Sequence, residues 1–348
     1  MYRLGRGWTT LRKSLTEFSA SNAQKYLPVP MAKKTEGTGN HVDLTSYSRR
    51  ETKHMQLGKN QRNMLTAVGF LSPNIIGFML FTAIPVVQSL IISLYDWPTF
   101  GERKFIGLQN YIDLFTKDPL FPKVMGNTSI YVFCYVALNI VLALAMALWL
   151  TNIQRGEKLY RSVFFLPQVT PIVATGMIWK WLFLPKYGII NNFLGIFGVP
   201  DINWLGTTGT AMSAIIIMSV WQGFGYNMII FIAGLYAIPE SQIEAARIDG
   251  AGKWQVFIKI KFPLISPSIF FAIVMTVISS FQVFDQTMIM TAGGPANATN
   301  TLVLYLYNNA FTYLKMGYAA AMAWVLFAII MIFTLLQMRL QKDFVTYE

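Results

Sequence analysis

The sequence predicts an all-α integral membrane protein, a six-span helical bundle. Three observations carry this. Of 348 residues, 54% are hydrophobic and 13% charged, with a mean hydropathy of +0.45, whereas soluble domains carry about 25% charged residues. Six apolar runs follow one another beyond residue 62, each reaching the roughly 20 residues a membrane helix needs. The charged residues gather in an N-terminal segment, in one loop and at the ends of the runs. A net charge of +12 distributed in this way points to a lipid bilayer as the partner, not to nucleic acid.

In chain order, residues 1–62 form a basic, polar tail holding 12 of the 28 lysines and arginines. Leu4, Trp8, Leu11, Leu15 and Phe18 recur there at helical spacing. The stretch reads either as an amphipathic helix on an anionic membrane face or as a disordered tail. Met31-Ala32-Lys33-Lys34 offers an alternative chain start. A transmembrane domain follows over 63–341, with spans at about 65–93, 127–150, 162–183, 211–237, 268–291 and 318–338. Residues 342–348 are a short C-terminal tail. Pro73 and Pro85 in the first run, and Pro167 and Pro171 in the third, predict kinks.

Lysine and arginine set the orientation. With the tail, one side of the membrane holds 21 of them and the other holds 7, so both termini and the loop at 238–267 are predicted to be cytoplasmic. Cys134 is the one cysteine and both histidines lie in the tail, which predicts no intrachain disulfide, no metal site and no catalytic cluster. The chain contains no GxxxxGK[ST] phosphate loop, so it is not expected to be an enzyme or to hydrolyse ATP by itself.

The loop at 238–267 is the charged passage within the apolar part of the chain: PESQIEAARIDGAGKWQVFIKIKFPLISP from Pro239. Pro239 suits the start of a helix. Glu240 and Glu244 lie near that start, where the helix dipole favours negative charge, and Gly250 and Gly252 can end it. Trp254, Phe257 and Ile258 then return at helical spacing. A charged helix, a glycine break and a second helix between two spans suit contact with a soluble partner.

Glu244-Ala245-Ala246, Asp249-Gly250-Ala251 and the following Ile260-Lys261-Phe262-Pro263 resemble the EAA motif of permease subunits in bacterial ABC importers. Phe262 stands where that family usually has leucine. The resemblance implies a multi-pass subunit of the bacterial cytoplasmic (inner) membrane. Its loop is then a coupling helix docked in a cleft of an ATPase dimer that carries ATP and Mg, while this chain binds no cofactor. One loop against two clefts implies a second permease subunit, which in sugar importers is usually a relative. Phe105-Ile106-Gly107-Leu108-Gln109-Asn110-Tyr111 and Gly293-Gly294-Pro295 resemble outer segments of the sugar-type, maltose-like permeases. An extracytoplasmic solute-binding protein is then expected to deliver a sugar or oligosaccharide.

The fourth run is interrupted by Trp221-Gln222-Gly223-Phe224-Gly225-Tyr226-Asn227, and the fifth carries Thr276, Ser279, Ser280, Gln282, Asp285 and Gln286. Amides, hydroxyls and aromatic faces are what a sugar needs. The same residue types also serve helix packing. The expected passage comprises Gln222, Gly223, Tyr226, Asn227, Thr276, Ser279, Ser280, Gln282 and Asp285. The resemblance places Gly223, Tyr226, Thr276 and Ser280 on substrate contacts of the maltose type. Val283 replaces an amide there, which sets maltose specificity aside. A continuous fifth helix puts Ser279, Gln282 and Gln286 on one stripe and Asp285 about 27 Å beyond Pro267, near the outer interface. Lys180 is expected to snorkel. Two alternatives stand beside this reading: a permease for glycerol phosphate or another polyol derivative, and an ion-coupled secondary carrier acting alone.

Overall fold

The computed structural model describes residues 63–344 except 65, 100 and 154. The expectations for the basic tail, Met31 and residues 345–348 lie outside the described residues. The chain divides into Met1–Asn74 and Ile75–Glu348. In the first unit the described residues are helical from 66 onward, and Ser72 Oγ donates to the Gly69 carbonyl at 3.1 Å.

Helix α1, Thr66–Ser93, buries none of its apolar window within the chain. A helix apolar on all sides and unburied is stable only in hydrocarbon or against a partner. Its turn at Met79–Ala83 widens to π geometry just before Pro85. The proline has no N–H and its ring would strike the carbonyl four residues back in a regular helix, so a wider turn relieves both defects. A short antiparallel pair, β1 Tyr95–Asp96 and β2 Lys104–Phe105, leads to α2, Gln109–Thr116. Asn110 fastens this outer segment by donating to the Ser93 and Tyr95 carbonyls at 2.7 and 2.9 Å.

Helix α3 spans Phe121–Leu150 and begins six residues before the Asn127 expected from hydropathy. Asp118 is the reason. Its Oδ1 accepts the backbone N–H groups of Leu120 (2.9 Å) and Phe121 (3.2 Å), and its Oδ2 accepts the hydroxyls of Tyr305 (2.7 Å) and Tyr318 (2.6 Å). Burial alone would raise the carboxyl's pKa, but these hydrogen bonds outweigh burial and hold it below the usual carboxylate value. With Pro122 in the first turn, the start is fixed by polar chemistry.

The third span is bent. Helix α4, Glu157–Val169, and helix α5, Ile172–Leu182, meet at 98°. The break falls at Thr170-Pro171, both extended, where the proline cannot continue the hydrogen-bond ladder. A short outer helix, α6 Ile189–Gly195, precedes α7, Ala211–Tyr236. Helix α7 is the centre of the bundle: 67% of its apolar window is buried, against 28% for α3. A Cβ on Gly225 would stand 2.4 Å from the Phe164 carbonyl oxygen, so α7 and α4 approach backbone to backbone. Phe224, Met228, Phe231 and Ile232 of α7 pack with Ala143 and Ala147 of α3 and with residues of the fifth span.

Helices α8, Glu240–Ile248, and α9, Lys253–Leu264, form the charged loop, and α9 meets α10, Ser266–Phe281, at 64°. The continuous fifth helix expected to Thr291 is not found. Helix α10 ends at Phe281, and α11, Asp285–Thr291, starts after a break. Phe284 has φ −138° and ψ −61°, and Thr301 Oγ1 donates to the Val283 carbonyl at 3.1 Å, giving it a partner outside the helix. The distance reckoned along one helix to Asp285 therefore does not apply. A turn through cis Gly294–Pro295 leads to α12, Leu302–Tyr307, and to the last span, α13, Met316–Phe344. Among the described residues, four helices are long and apolar enough to cross a membrane alone, and the count is six when each bent pair is taken as one span.

Candidate functional site

The interruption in α7, the end of α10 and the break before α11 enclose one polar cavity of about 300 Å³. Gln222, Gly223 and Ser219 line it from α7, Ser279 and Ser280 from α10, and Gln282, Asp285 and Gln286 from the break and the start of α11. Tyr131 and Tyr135 of α3 form a further wall. Their rings are nearly parallel, 8° apart, with centroids separated by 5.4 Å. A Cβ on Gly223 would fall 2.4 Å from the Tyr135 hydroxyl, so the glycine admits the second tyrosine. Ser279 and Ser280 donate to carbonyls one turn back on α10, which leaves their oxygen lone pairs free to accept. Gln222 donates to the Thr170 carbonyl at 3.4 Å, joining α7 to the proline bend.

Next to the cavity lies a buried polar network, joined to it where Asn139 donates to the Tyr135 hydroxyl at 3.4 Å. Asn227 donates to Asn139 Oδ1 at 2.7 Å and to Thr276 Oγ1 at 2.9 Å, and all three side chains are buried. It ties α7 to α3 and α10. Buried hydrogen-bonded amides hold helices in register inside a bilayer. Asn227 and Thr276 thus sit in this network and do not line the cavity. Tyr226 also lies off the cavity wall and is 46% exposed. Six of the nine expected passage residues, Gln222, Gly223, Ser279, Ser280, Gln282 and Asp285, are brought together. The expected stripe of Ser279, Gln282 and Gln286 also meets there, through a helix break and not along one helix face.

Sequence reasoning missed Tyr131, Tyr135 and Gln168, which line the cavity, and Asn139, which supports it. A signal was present: Tyr131, Tyr135 and Asn139 recur every four residues inside the second apolar run, which places them on one helix face.

The charged loop has the expected helix–glycine–helix form. No residue of α8 is buried. Gly250 adopts φ +83°; its N–H bonds to the Arg247 carbonyl at 3.1 Å, and the Ala251 N–H bonds to the Ala246 carbonyl at 2.9 Å. This pair of bonds is the Schellman termination, which favours glycine. Gln255 then accepts the Gly252 N–H at 2.8 Å and opens α9. Ala246, Asp249, Gly250, Ala251, Gln255 and Lys259 line a hollow of about 390 Å³. Ile248 is 86% exposed and Trp254 70% exposed nearby. Ile243 anchors α8 from beneath by packing on the α3–α7 core.

Comparison with known proteins decides the family. Residues 139–345 match the model of the binding-protein-dependent transport system inner membrane component. The chain belongs to this permease family. It is 39% identical over 315 residues to the probable ABC transporter permease protein YesP of Bacillus subtilis, covering 89% of this chain and 98% of that protein. It is 32% identical over 275 residues to the probable starch degradation products transport system permease protein AmyD of Thermoanaerobacterium thermosulfurigenes, covering 78% of this chain and 92% of that one. A crystal structure of a bacterial ABC transporter that imports the acidic polysaccharide alginate superimposes with a TM-score of 0.74 at 20% identity, over 84% of this chain and 100% of its own. The chain is therefore an ABC importer permease, a transport subunit of the inner membrane. The match covers both the cavity-lining helices from Asn139 onward and the charged loop.

Proposed function

We propose that this permease carries a sugar or oligosaccharide into the cell through the cavity beside Gln222 and Asp285. Delivery is from an extracytoplasmic solute-binding protein, and the energy comes from ATP hydrolysed, with Mg, on a separate ATPase dimer. The observation that carries the cargo assignment is the cavity wall: the edge of a stacked tyrosine pair, of which Tyr131 is buried, meets a set of amides, serines and one carboxylate. Aromatic faces take the apolar side of a sugar ring, and convergent acceptors and donors take its hydroxyls. A relative at 32% identity whose name is probable starch degradation products transport system permease protein supports the same cargo class. Thr276 and Asn227 brace this passage, and Tyr226 faces outward where a second, related permease subunit would complete it.

In this reading both termini and the charged loop are cytoplasmic, as the lysine and arginine distribution predicts. Glu244, Ala245, Ala246, Asp249, Gly250 and Ala251 form the coupling surface that enters the ATPase cleft. Closure of the ATPase dimer on ATP then moves α8 and, through Ile243, the core of α3 and α7, opening the cavity outward. The chain contributes position and motion, not hydrolysis.

Uptake into proteoliposomes tests this reading. The complete complex, with binding protein outside and ATP inside, is expected to accumulate labelled saccharide. The lone chain under a proton or sodium gradient is expected to accumulate none. Ion-driven uptake by the lone chain would replace the ABC mechanism with a secondary carrier.

A further inference from the structure

We infer that the cavity selects uncharged saccharides and rejects anionic ones, an inference that rests on the carbohydrate reading above. Among the fourteen residues lining the cavity, Asp285 is the one charged side chain; no lysine, arginine or histidine lines it. Two cations of flanking elements also stand apart from the lining. Lys180 of α5 is exposed and does not line the cavity, and Lys123 of α3 donates to the Ala296 carbonyl in the outer turn. A uronate or a phosphate would thus bring its negative charge to an acid with no cation of this chain on the same wall to offset it. Recognition of such anions ordinarily uses arginine or lysine.

The free hydrogen-bonding capacity of the wall fits a neutral polyol. Among the described residues, no protein hydrogen bond or ion pair involves the side chain of Asp285, Gln168, Gln282 or Gln286. Gln282 and Asp285 are exposed and line the cavity, and the glutamines offer donors as well as acceptors. A carboxylate is acceptor-only and makes its strong bonds to hydroxyl donors, which a neutral sugar carries around its ring. The stacked Tyr131–Tyr135 pair lines the cavity and adds no charge.

The test is equilibrium binding to the purified permease pair with its ATPase subunits, in the absence of binding protein, so that the latter's own selectivity does not enter. The probes are neutral disaccharides (maltose, cellobiose, melibiose and sucrose), disaccharides of matching linkage that carry a uronic acid, and glycerol 3-phosphate. At least one neutral disaccharide is expected to bind at least about tenfold more tightly than its uronic counterpart, because like charges would be juxtaposed. Asp285→Asn preserves shape and is expected to bring that ratio to within about threefold. Gln282→Ala should weaken both members alike. A uronic probe or glycerol 3-phosphate that binds wild type as tightly as the best neutral probe would overturn the charge inference alone. So would a ratio unchanged in Asp285→Asn, read on protein that elutes as the intact complex. Should no saccharide of either series bind, the carbohydrate reading falls, and this inference with it.

Discussion

Glu244→Lys is expected to abolish coupled transport while leaving the bundle assembled. Glu244 is exposed on α8, a helix with no buried residue, so its side chain contributes nothing to the packing of this chain. Its role in the account is to meet a basic group in the ATPase cleft, and a charge-assisted bond there is worth about 1.5–3 kcal/mol. Alanine removes that bond and leaves the partner's charge unpaired; lysine adds repulsion between like charges. Substrate-stimulated ATPase activity and uptake should therefore fall in the order wild type, Ala, Lys. Gly250→Val should uncouple as well, since a β-branched residue resists the φ of +83° on which the end of α8 depends. Undiminished activity in Glu244→Lys, with the ATPase still co-purifying, would mean that α8 does not transmit the stroke.

The second large effect is expected inside the bundle. Gly225→Val places a Cβ 2.4 Å from the Phe164 carbonyl oxygen and 3.1 Å from the Phe165 Cα. These are backbone atoms, so no side-chain rotation relieves the clash, and α4 must move away from the most buried helix of the fold. Overpacking of this kind costs about 3 kcal/mol. The proline bend after α4 would shift with it and disturb the Gln222–Thr170 contact at the cavity. Thermal unfolding in detergent should show a clear loss of stability, and little intact protein should be recovered. Gly126→Val is the control: it lies in α3 with nothing within 4 Å of the added Cβ, and it should behave as wild type. Equal stability of the two variants would mean that the close approach of α7 to α4 is not a constraint on the fold.

The contrast between these two positions shows what a sequence can and cannot reveal. Pattern and charge located the long apolar helices, the proline bend and the helix–glycine–helix loop, because apolar length, missing N–H groups and the need for a positive φ are local properties. The start of α3 was misjudged because Asp118 acts through Tyr305 and Tyr318, nearly 200 residues away in sequence. The break after Phe281 was hidden for a similar reason. Residues 281–284 contain no proline or glycine, and the Val283 carbonyl is taken up by Thr301 from a later segment. Without that break Asp285 reads as an outer-interface residue; with it, the carboxylate lines the cavity.

The cavity was legible from one side only. Its α7 and α10 walls carried polar residues dense enough to notice, whereas Tyr131 and Tyr135 looked like ordinary aromatic content of an apolar run. Their spacing of four residues, continued by Asn139, was the available sign. The glycines were ambiguous in sequence, and the structure separates their roles. Gly225 serves helix packing, while Gly223 lines the cavity and makes room for Tyr135.

The most direct measurement of the central claim, that the Glu244 loop joins this permease to its motor, is a cross-link. Cys134 is exchanged for serine, and a single cysteine is placed at Ala246 or Gln255, both on the hollow beside Gly250. The assembled complex is then treated with a short thiol-to-amine reagent in inside-out vesicles, with and without ATP. The account predicts a covalent adduct between this chain and the ATPase subunit at both positions, with a yield that changes when ATP is bound. Labelling of Gln255→Cys from the extracytoplasmic side, or an assembled complex in which neither position reaches the ATPase in either state, would contradict it.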